Sequence, residues 1–593
     1  MKTIKAIKGN TMFVPARGLL AAVLALSCTA AVAQNAFVPV TDAMLRAPDD
    51  ADWPMWRRTL DGWGYSPLDQ VDRSNVAQLA LAWSQPLNEG AIQEGTPLVY
   101  QGIMYVPHPR DMVTAHKADT GELLWTYERK LPEDLGDYIT AHETNRALAI
   151  HDDNIIYTTN DGYIVSLDVS SGAVNWETLI MDFRTHPIQQ SSGPIIVNGK
   201  AISGRTCQPP AGPDACIITA HDTETGEELW RFHTIQRPQE GEADTWNGIP
   251  WEARWHVGAW MMPTYDPELN LLYFGTSVTG PAPKFLLGGN DNTFLYHNST
   301  LAINPDDGSL VWHYQHLVDH WDLDHPFERL IVDTAVTPDP AEVSWIAPDI
   351  EADKVYKVLT GIPGKTGVVY TIDRETGKFL WARPTVHQNV LQSIDGATGI
   401  ATVNPEALFH AEGDERDICP STSGGKNWWA GAYSPLTNAM YYGLQNTCMH
   451  LTVIISEPDA EGPPYGWTGQ EALAPGRANI GTFFGISAET GKTLWTHETP
   501  GTALSMVTTG GGLVFGGDLE GNFRAFDQVT GAVLWETNLG STVTGYPVSF
   551  GVDGRQYIAV GTGSSVTTSG HRRYLPDLKA GSENRLFVFA LPE

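Results

Sequence analysis

One short pattern recurs along the chain and limits its fold more than any other feature. "AHKADTGELLW" ends at Trp125, "LDVSSGAVNW" at Trp176, "AHDTETGEELW" at Trp230 and "INPDDGSLVW" at Trp312. "IDRETGKFLW" ends at Trp381, "ISAETGKTLW" at Trp495 and "FDQVTGAVLW" at Trp535, and a degenerate copy, "VAQLALAW", ends at Trp83. In each complete copy a strand runs into Asp or a small polar residue, a T-G or S-G turn follows, and glycine supplies the positive φ the turn needs. A second strand then carries a Trp, whose simplest role is packing between neighbouring units. Repeats of this size, all β and with one aromatic each, predict an eight-bladed β-propeller with tryptophan-docking repeats, in which "RLFVFALP" near the C-terminus pairs with the N-terminal region to close the ring.

The spacing of the repeats is uneven. Trp83 to Trp125 spans 42 residues and Trp495 to Trp535 spans 40, close to a bare blade, whereas Trp230 to Trp312 spans 82 and Trp381 to Trp495 spans 114. The excess must leave the scaffold as long excursions, and loops on a rigid frame are where binding and catalysis concentrate. The chain is therefore expected to be a targeting segment, residues 1–33, followed by a single propeller domain, 34–593.

The targeting segment reads from its own residues. Lys2, Lys5, Lys8 and Arg17 precede the apolar run "GLLAAVLALSCTAAVA", which ends in Ala31-Val32-Ala33, a small-residue cleavage site. Cys28 lies in that run behind a poor lipobox. No other stretch is long and apolar enough to span a bilayer, so an exported, periplasmic protein is expected. The formal charge of −32 becomes −36 when the four positive residues of the leader are removed, which argues against nucleic acid and anionic membrane as partners. Cys207, Cys216, Cys419 and Cys448 remain, an even number suggesting two disulfides, with Cys207–Cys216 and Cys419–Cys448 the pairing of shortest loops. The chain has no C-x-x-C-H motif for c-type haem.

The opening "DWPMWRRTLDGWGYSPLDQV", the TG-x-x-x-W units, "EGTPL", "NRALA", "GKTGVVYTIDR", "GGKNWW" and the Trp-Asp segment at 321 occur in one order. As an ordered set, over nearly the whole mature chain, they resemble the pyrroloquinoline quinone (PQQ)-dependent alcohol dehydrogenases of the type without a haem c domain. PQQ is a flat, tricarboxylated orthoquinone, so its site needs an aromatic face, cations and donors for the carboxylates, and a polarising group at the reactive carbonyl. The resemblance assigns cofactor contacts to Glu94, Arg146, Ser191, Thr206, Trp260, Lys365 and Asn427, with Phe515 as an aromatic edge. Trp260 would be the floor of the ring stack.

"HWDLDHP", residues 320–326, supplies the catalytic position. Asp322 matches the family's catalytic aspartate and is expected to take the hydroxyl proton while hydride leaves the alcohol carbon. Family members use a bound cation as a Lewis acid, and Asp322 with Asp324 would ligate it. The carboxylate at 324 resembles the lanthanide-using branch, so the cation is expected to be Ca²⁺ or a lanthanide. The competing reading has Asp324 cap a turn or pair with Arg329 or His325.

Three departures stand out. The calcium-type enzymes have a glutamate shortly after the position of Thr206, where this chain reads "GRTCQPPAGPDAC"; Gln208 or Asp214 could substitute. They have an asparagine where Val278 stands in "GTSVTGPAP", and an adjacent Cys-Cys pair where Thr140-Ala141 stands.

The resemblance implies oxidation of an alcohol, with electrons passed to an external acceptor such as cytochrome c. The Met, Trp and Pro content of the excursions suggests a bulky or secondary alcohol. A polyol or sugar dehydrogenase of the same cofactor class, and a non-catalytic periplasmic propeller of the outer-membrane assembly type, are the competing functions.

Overall fold

A computed structural model of the chain describes residues 37–593 except 89–91, 140–142, 208–210, 238–242, 353, 456–465, 566–569 and 576. The leader with its cleavage site, Thr140-Ala141 and Gln208 lie outside the described residues. Strands dominate, and helix is confined to short pieces such as Asp42–Arg46.

Eight sheets of four or five strands follow one another along the chain. They cover residues 98–128, 149–179, 195–233, 264–315, 330–384, 432–499, 503–538 and 548–590. Each is built on an up-and-down antiparallel meander, as local hairpin connections favour. Inner strands are buried on both faces, as Leu98–Tyr100 is, while outer strands alternate, as Leu123–Glu128 does. That difference follows from packing each sheet between two neighbours at the inner end and leaving it half-solvated at the outer end.

The repeated Trp and Gly meet between successive units. A Cβ on Gly121 would lie 2.7 Å from the Trp83 ring, on Gly172 2.6 Å from Trp125, on Gly226 2.5 Å from Trp176 and on Gly308 2.5 Å from Trp230. Gly377 stands in the same relation to Trp312, Gly491 to Trp381 and Gly531 to Trp495. The indole N–H groups donate to carbonyls beside these turns: Trp83 to Ala118, Trp125 to Val169, Trp176 to Thr223, Trp230 to Pro305 and Trp495 to Gln528. Trp535 completes the series by donating to Leu79, before the first meander. The repeat Asp folds the turn itself: Asp222 accepts from the amides of Glu224 and Thr225, and Asp527 from those of Val529 and Thr530. These are Asx-turn bonds.

The ends of the chain meet in the last sheet. Ala80–Pro86 pairs with Arg585–Ala590, as "RLFVFALP" predicted. Tyr65–Ser66 adds in parallel to Ala503–Thr509.

The long intervals contain the expected excursions. Between Trp381 and Trp495 lie a hairpin, Leu391–Ile394 with Ala401–Val403, and a three-stranded sheet built from Glu415–Ile418, Thr447–Val453 and Trp467–Leu473. The Cys419–Cys448 bridge closes the base of this sheet, and Cys207–Cys216 closes a shorter loop. Within the sheet, buried Glu471 accepts from Ser421 and lies 3.2 Å from both His571 and Arg573, which brace it from beyond.

The docking contact predicts a specific cost. Gly172 has φ +70° and no room before Trp125, so Gly172→Ala should destabilise the fold by about 1–3 kcal/mol. The measurement is the denaturation midpoint; an unchanged midpoint would show that the indole can move aside.

Candidate active site

The segment 319–329 is shaped by one buried carboxylate. Asp319 is fully buried and accepts from the amides of Trp321 (2.7 Å) and Leu323 (2.5 Å), the residues on either side of Asp322. Asn298 donates to the same carboxylate and to the Leu323 carbonyl. Clamped on both sides, Asp322 sits at φ +70°, a left-handed conformation that aspartate tolerates better than most residues. Trp321 anchors the segment by burying its ring and donating to the Ala407 carbonyl.

Lys365 joins the two site aspartates. Its ammonium lies 3.0 Å from Asp322 Oδ1 and 3.2 Å from Asp324 Oδ2, and its amide donates to the Asp324 carbonyl. Asp324 also accepts from the Val278 amide at 2.9 Å. Burial pushes the Asp322 carboxyl well above the usual range, with Lys365 opposing. Burial acts on Asp324 too, but there Lys365, His256 and the Val278 amide outweigh it and hold the carboxyl below the usual value. Two neighbouring carboxylates are thus pushed apart in acidity, the arrangement that lets one stay ionised while the other exchanges a proton. Neither competing partner of Asp324 is used: Arg329 donates to Thr300, Phe327 and His325, and His325 Nδ1 faces the Leu323 carbonyl.

A ladder of backbone contacts connects this pair to Trp260. The amide of His325 donates to Thr276, that of Ser277 to Gly258, and that of Ala259 to Arg205. Trp260 is half-buried, resting on a cluster that includes Met261, Phe327, Trp428, Trp429 and Tyr546. Phe327 meets it edge-on, with centroids 5.4 Å apart and planes at 83°. Around this shelf stand Arg146, its guanidinium 5.4 Å from the indole centroid, and Glu94, 2.6 Å from Arg146. Ser191 accepts from Arg146 through its carbonyl and reaches the Trp260 carbonyl through its hydroxyl at 3.5 Å. Thr206 packs against Gly258, where a Cβ would be 2.0 Å from its hydroxyl.

Seven of the residues expected to serve the cofactor or the chemistry — Glu94, Arg146, Ser191, Thr206, Trp260, Asp322 and Lys365 — are gathered here, with Asp324 beside them. Asn427 turns inward instead: its amide nitrogen donates to Ser423 and its oxygen accepts from Trp428, so its polar ends brace its own loop. Phe515 does not join the shelf. It is fully buried within the core shared by the seventh and eighth sheets, ring to ring with Phe523 at 5.9 Å. Its strand, Leu513–Asp518, is buried throughout, so alternation could not tell which face it takes. Asp214 is half-exposed and paired with Arg237 at 2.7 Å, which spends it at the surface.

Four residues enter that sequence reading did not select. Asp319 shapes the loop. His256, at φ +72°, donates from Nδ1 to the Val278 carbonyl at 3.0 Å and interacts with Asp324. Ser565 hydrogen-bonds Glu94 and accepts from the Trp428 indole at 3.1 Å. Asn145 precedes Arg146 and is buried. An Asp three residues before Asp322 was the legible signal; the others are joined to the site only through the fold.

The donors fit a flat polyanionic ring. The Arg146 Nε, Asn145 Nδ2 and Thr206 hydroxyl are buried without a hydrogen-bond partner among the described residues. Such orphaned groups are costly unless a ligand satisfies them. For a cation, Asp322 and Asp324 offer two hard oxygen donors. Among the described residues no group of three or more His, Cys, Asp or Glu side chains is gathered for a metal, so a cation held by this pair needs donors beyond it.

Comparison with known proteins agrees with this geometry. Residues 53–394 and 460–558 match the family profile described as PQQ, the glucose/ethanol/alcohol dehydrogenase beta-propeller domain. The chain is 30% identical to the quinohemoprotein alcohol dehydrogenase ADH IIB of Pseudomonas putida, over 93% of this chain and 79% of that one. It is also 30% identical to the quinoprotein alcohol dehydrogenase PedH of Pseudomonas putida, over 90% of each. Its structure superposes on a europium-containing methanol dehydrogenase with a TM-score of 0.82 at 27% identity, covering 93% of this chain and 99% of that one. The chain belongs to the PQQ-dependent alcohol dehydrogenase family and carries its β-propeller domain.

Proposed function

We propose that this chain is an exported quinoprotein dehydrogenase that oxidises an alcohol, bulky or secondary, to the aldehyde or ketone and passes the electrons to an external acceptor such as cytochrome c in the periplasm. One observation carries the reading. A half-buried indole shelf, ringed by unpartnered polar groups, stands beside a lysine-bridged carboxylate pair. A non-catalytic scaffold needs no such pairing, because a buried unsatisfied group only lowers stability. We read the eight meanders as eight blades of one ring, since the Trp contacts run from unit to unit and Trp535 returns to Leu79.

When bound, PQQ supplies a two-electron acceptor for the hydride of the alcohol carbon. Trp260 would hold its face, with Glu94, Arg146, Ser191 and Thr206 at its edges. Asp322 takes the hydroxyl proton: its side chain is 15% exposed, within reach of a substrate, and Lys365 fixes its direction. A Ca²⁺ or lanthanide ion would be held by Asp322 and Asp324 together with the cofactor and would supply Lewis acidity. The two excursions meet where Gly466 packs against Pro281, Pro283 and Leu286, and Trp255 covers Gly280. These apolar surfaces favour a substrate with a sizeable hydrocarbon part.

Asp322→Asn should lower kcat by about 10²–10⁴-fold while the holoenzyme keeps its cofactor absorbance. Turnover with a dye acceptor at the parent rate would dismiss Asp322 as the base. Asp324→Ala should change the order in which La³⁺ and Ca²⁺ are retained when the apoprotein is loaded with PQQ, read as bound metal by mass spectrometry. An unchanged order would leave Asp324 as an anchor for Lys365 and Val278.

A further inference from the structure

Below the Trp260 shelf, buried charges do not balance. Lys426 and Glu328 are fully buried and paired at 2.8 Å, and Glu328 also accepts from the Gly431 amide. Arg57 and Arg329 are 1% and 4% exposed. Arg57 donates from Nη2 to the Gly431 and Met506 carbonyls, its Nε and Nη1 having no hydrogen-bond partner among the described residues, and Arg329 donates to Thr300 and the carbonyls of Phe327 and His325. Among the described residues, no carboxylate lies within ion-pair distance of either guanidinium. Three cations therefore share one carboxylate in a region closed to water. Burial draws Arg57 down to about 10 and Arg329 to about 9, with Glu328 the acid that opposes it in each case.

The cluster reaches the shelf through one ring. The Lys426 ammonium lies 4.5 Å from the Phe327 centroid, and Phe327 meets Trp260 edge-on at 5.4 Å. Lys426 is thus at most about 10 Å from the indole, with apolar ring in between, where a charge acts with little screening. An apolar filler would serve packing as well or better, because buried unpaired charge is costly. We propose that this cation cluster of Lys426, Arg57 and Arg329 against Glu328 is an electrostatic device that raises the reduction potential of the cofactor lying on Trp260. The inference rests on the quinoprotein reading. Reduction brings two electrons onto the ring, supplied with one proton as hydride from the alcohol carbon, while the hydroxyl proton goes to Asp322. Net positive charge underneath favours the more electron-rich form.

The test is a redox titration of the PQQ-loaded holoenzyme, followed by cofactor absorbance, in three variants. Lys426→Met removes one positive charge and should shift the equilibrium toward oxidised cofactor about tenfold, or about 30 mV downward for a two-electron couple. Glu328→Gln removes the one negative charge and should shift it upward by a similar factor. The double variant, Lys426→Met with Glu328→Gln, keeps the net charge and should return close to the parent. Loss of packing alone would not produce opposite signs that cancel. Potentials unchanged in all three, or moved in one direction by all three, overturn this inference. A parent chain that takes up no PQQ overturns the quinoprotein reading itself.

Discussion

The contact on which the structure depends is an indole laid on a glycine. Seven of the eight repeat Trp residues fill the space that a side chain would occupy at the turn of the next unit, and most of the eight hydrogen-bond a carbonyl there. The glycine is needed twice over: its positive φ makes the turn, and its missing Cβ admits the ring. The Asp before the turn satisfies the turn amides, leaving the carbonyl side free for the indole. A flat aromatic with one donor is well suited to this place, since it seals a broad area and fixes register. Successive sheets are locked without long loops, and lengthy insertions can leave the frame without loosening it.

The site uses that rigidity to hold groups that would otherwise repel or hydrate. Asp319, Asp322 and Asp324 lie within six residues, the first and last of them buried and Asp322 partly so. Each has a different set of partners. Asp319 is occupied by backbone amides, Asp324 by Val278 and one edge of Lys365, and Asp322 by the other edge. Only Asp322 combines a left-handed backbone with partial access. Three chemically identical side chains therefore take the parts of brace, anchor and proposed proton acceptor through environment alone.

Much of this could be read from the amino acids, and the reason is local. The turn Asp, the turn Gly and the docking Trp lie within about a dozen residues of one another, so their roles are written in adjacent letters. Asp322, Asp324 and Trp260 were recognisable because ordered motifs surround them. What escaped was long-range. Ser565 reaches Glu94 from the far end of the chain, and His256 reaches Asp324 across two segments. Phe515 was misplaced because its strand is buried on both faces, and period-two alternation carries no information there. Asp214 was a candidate ligand by its position between two cysteines, yet its own side chain is half-exposed and Arg237 takes it.

The last sheet is stitched from both ends of the polypeptide, Ala80–Pro86 beside Arg585–Ala590. Around that seam the Gln93 amide meets the Ser564 carbonyl, and Glu94 meets Ser565. The pocket wall is consequently unfinished until the final strand of synthesis has been made. A nascent chain lacking its last stretch therefore lacks the Ser565 hydrogen bond to Glu94, the acid that pairs with Arg146.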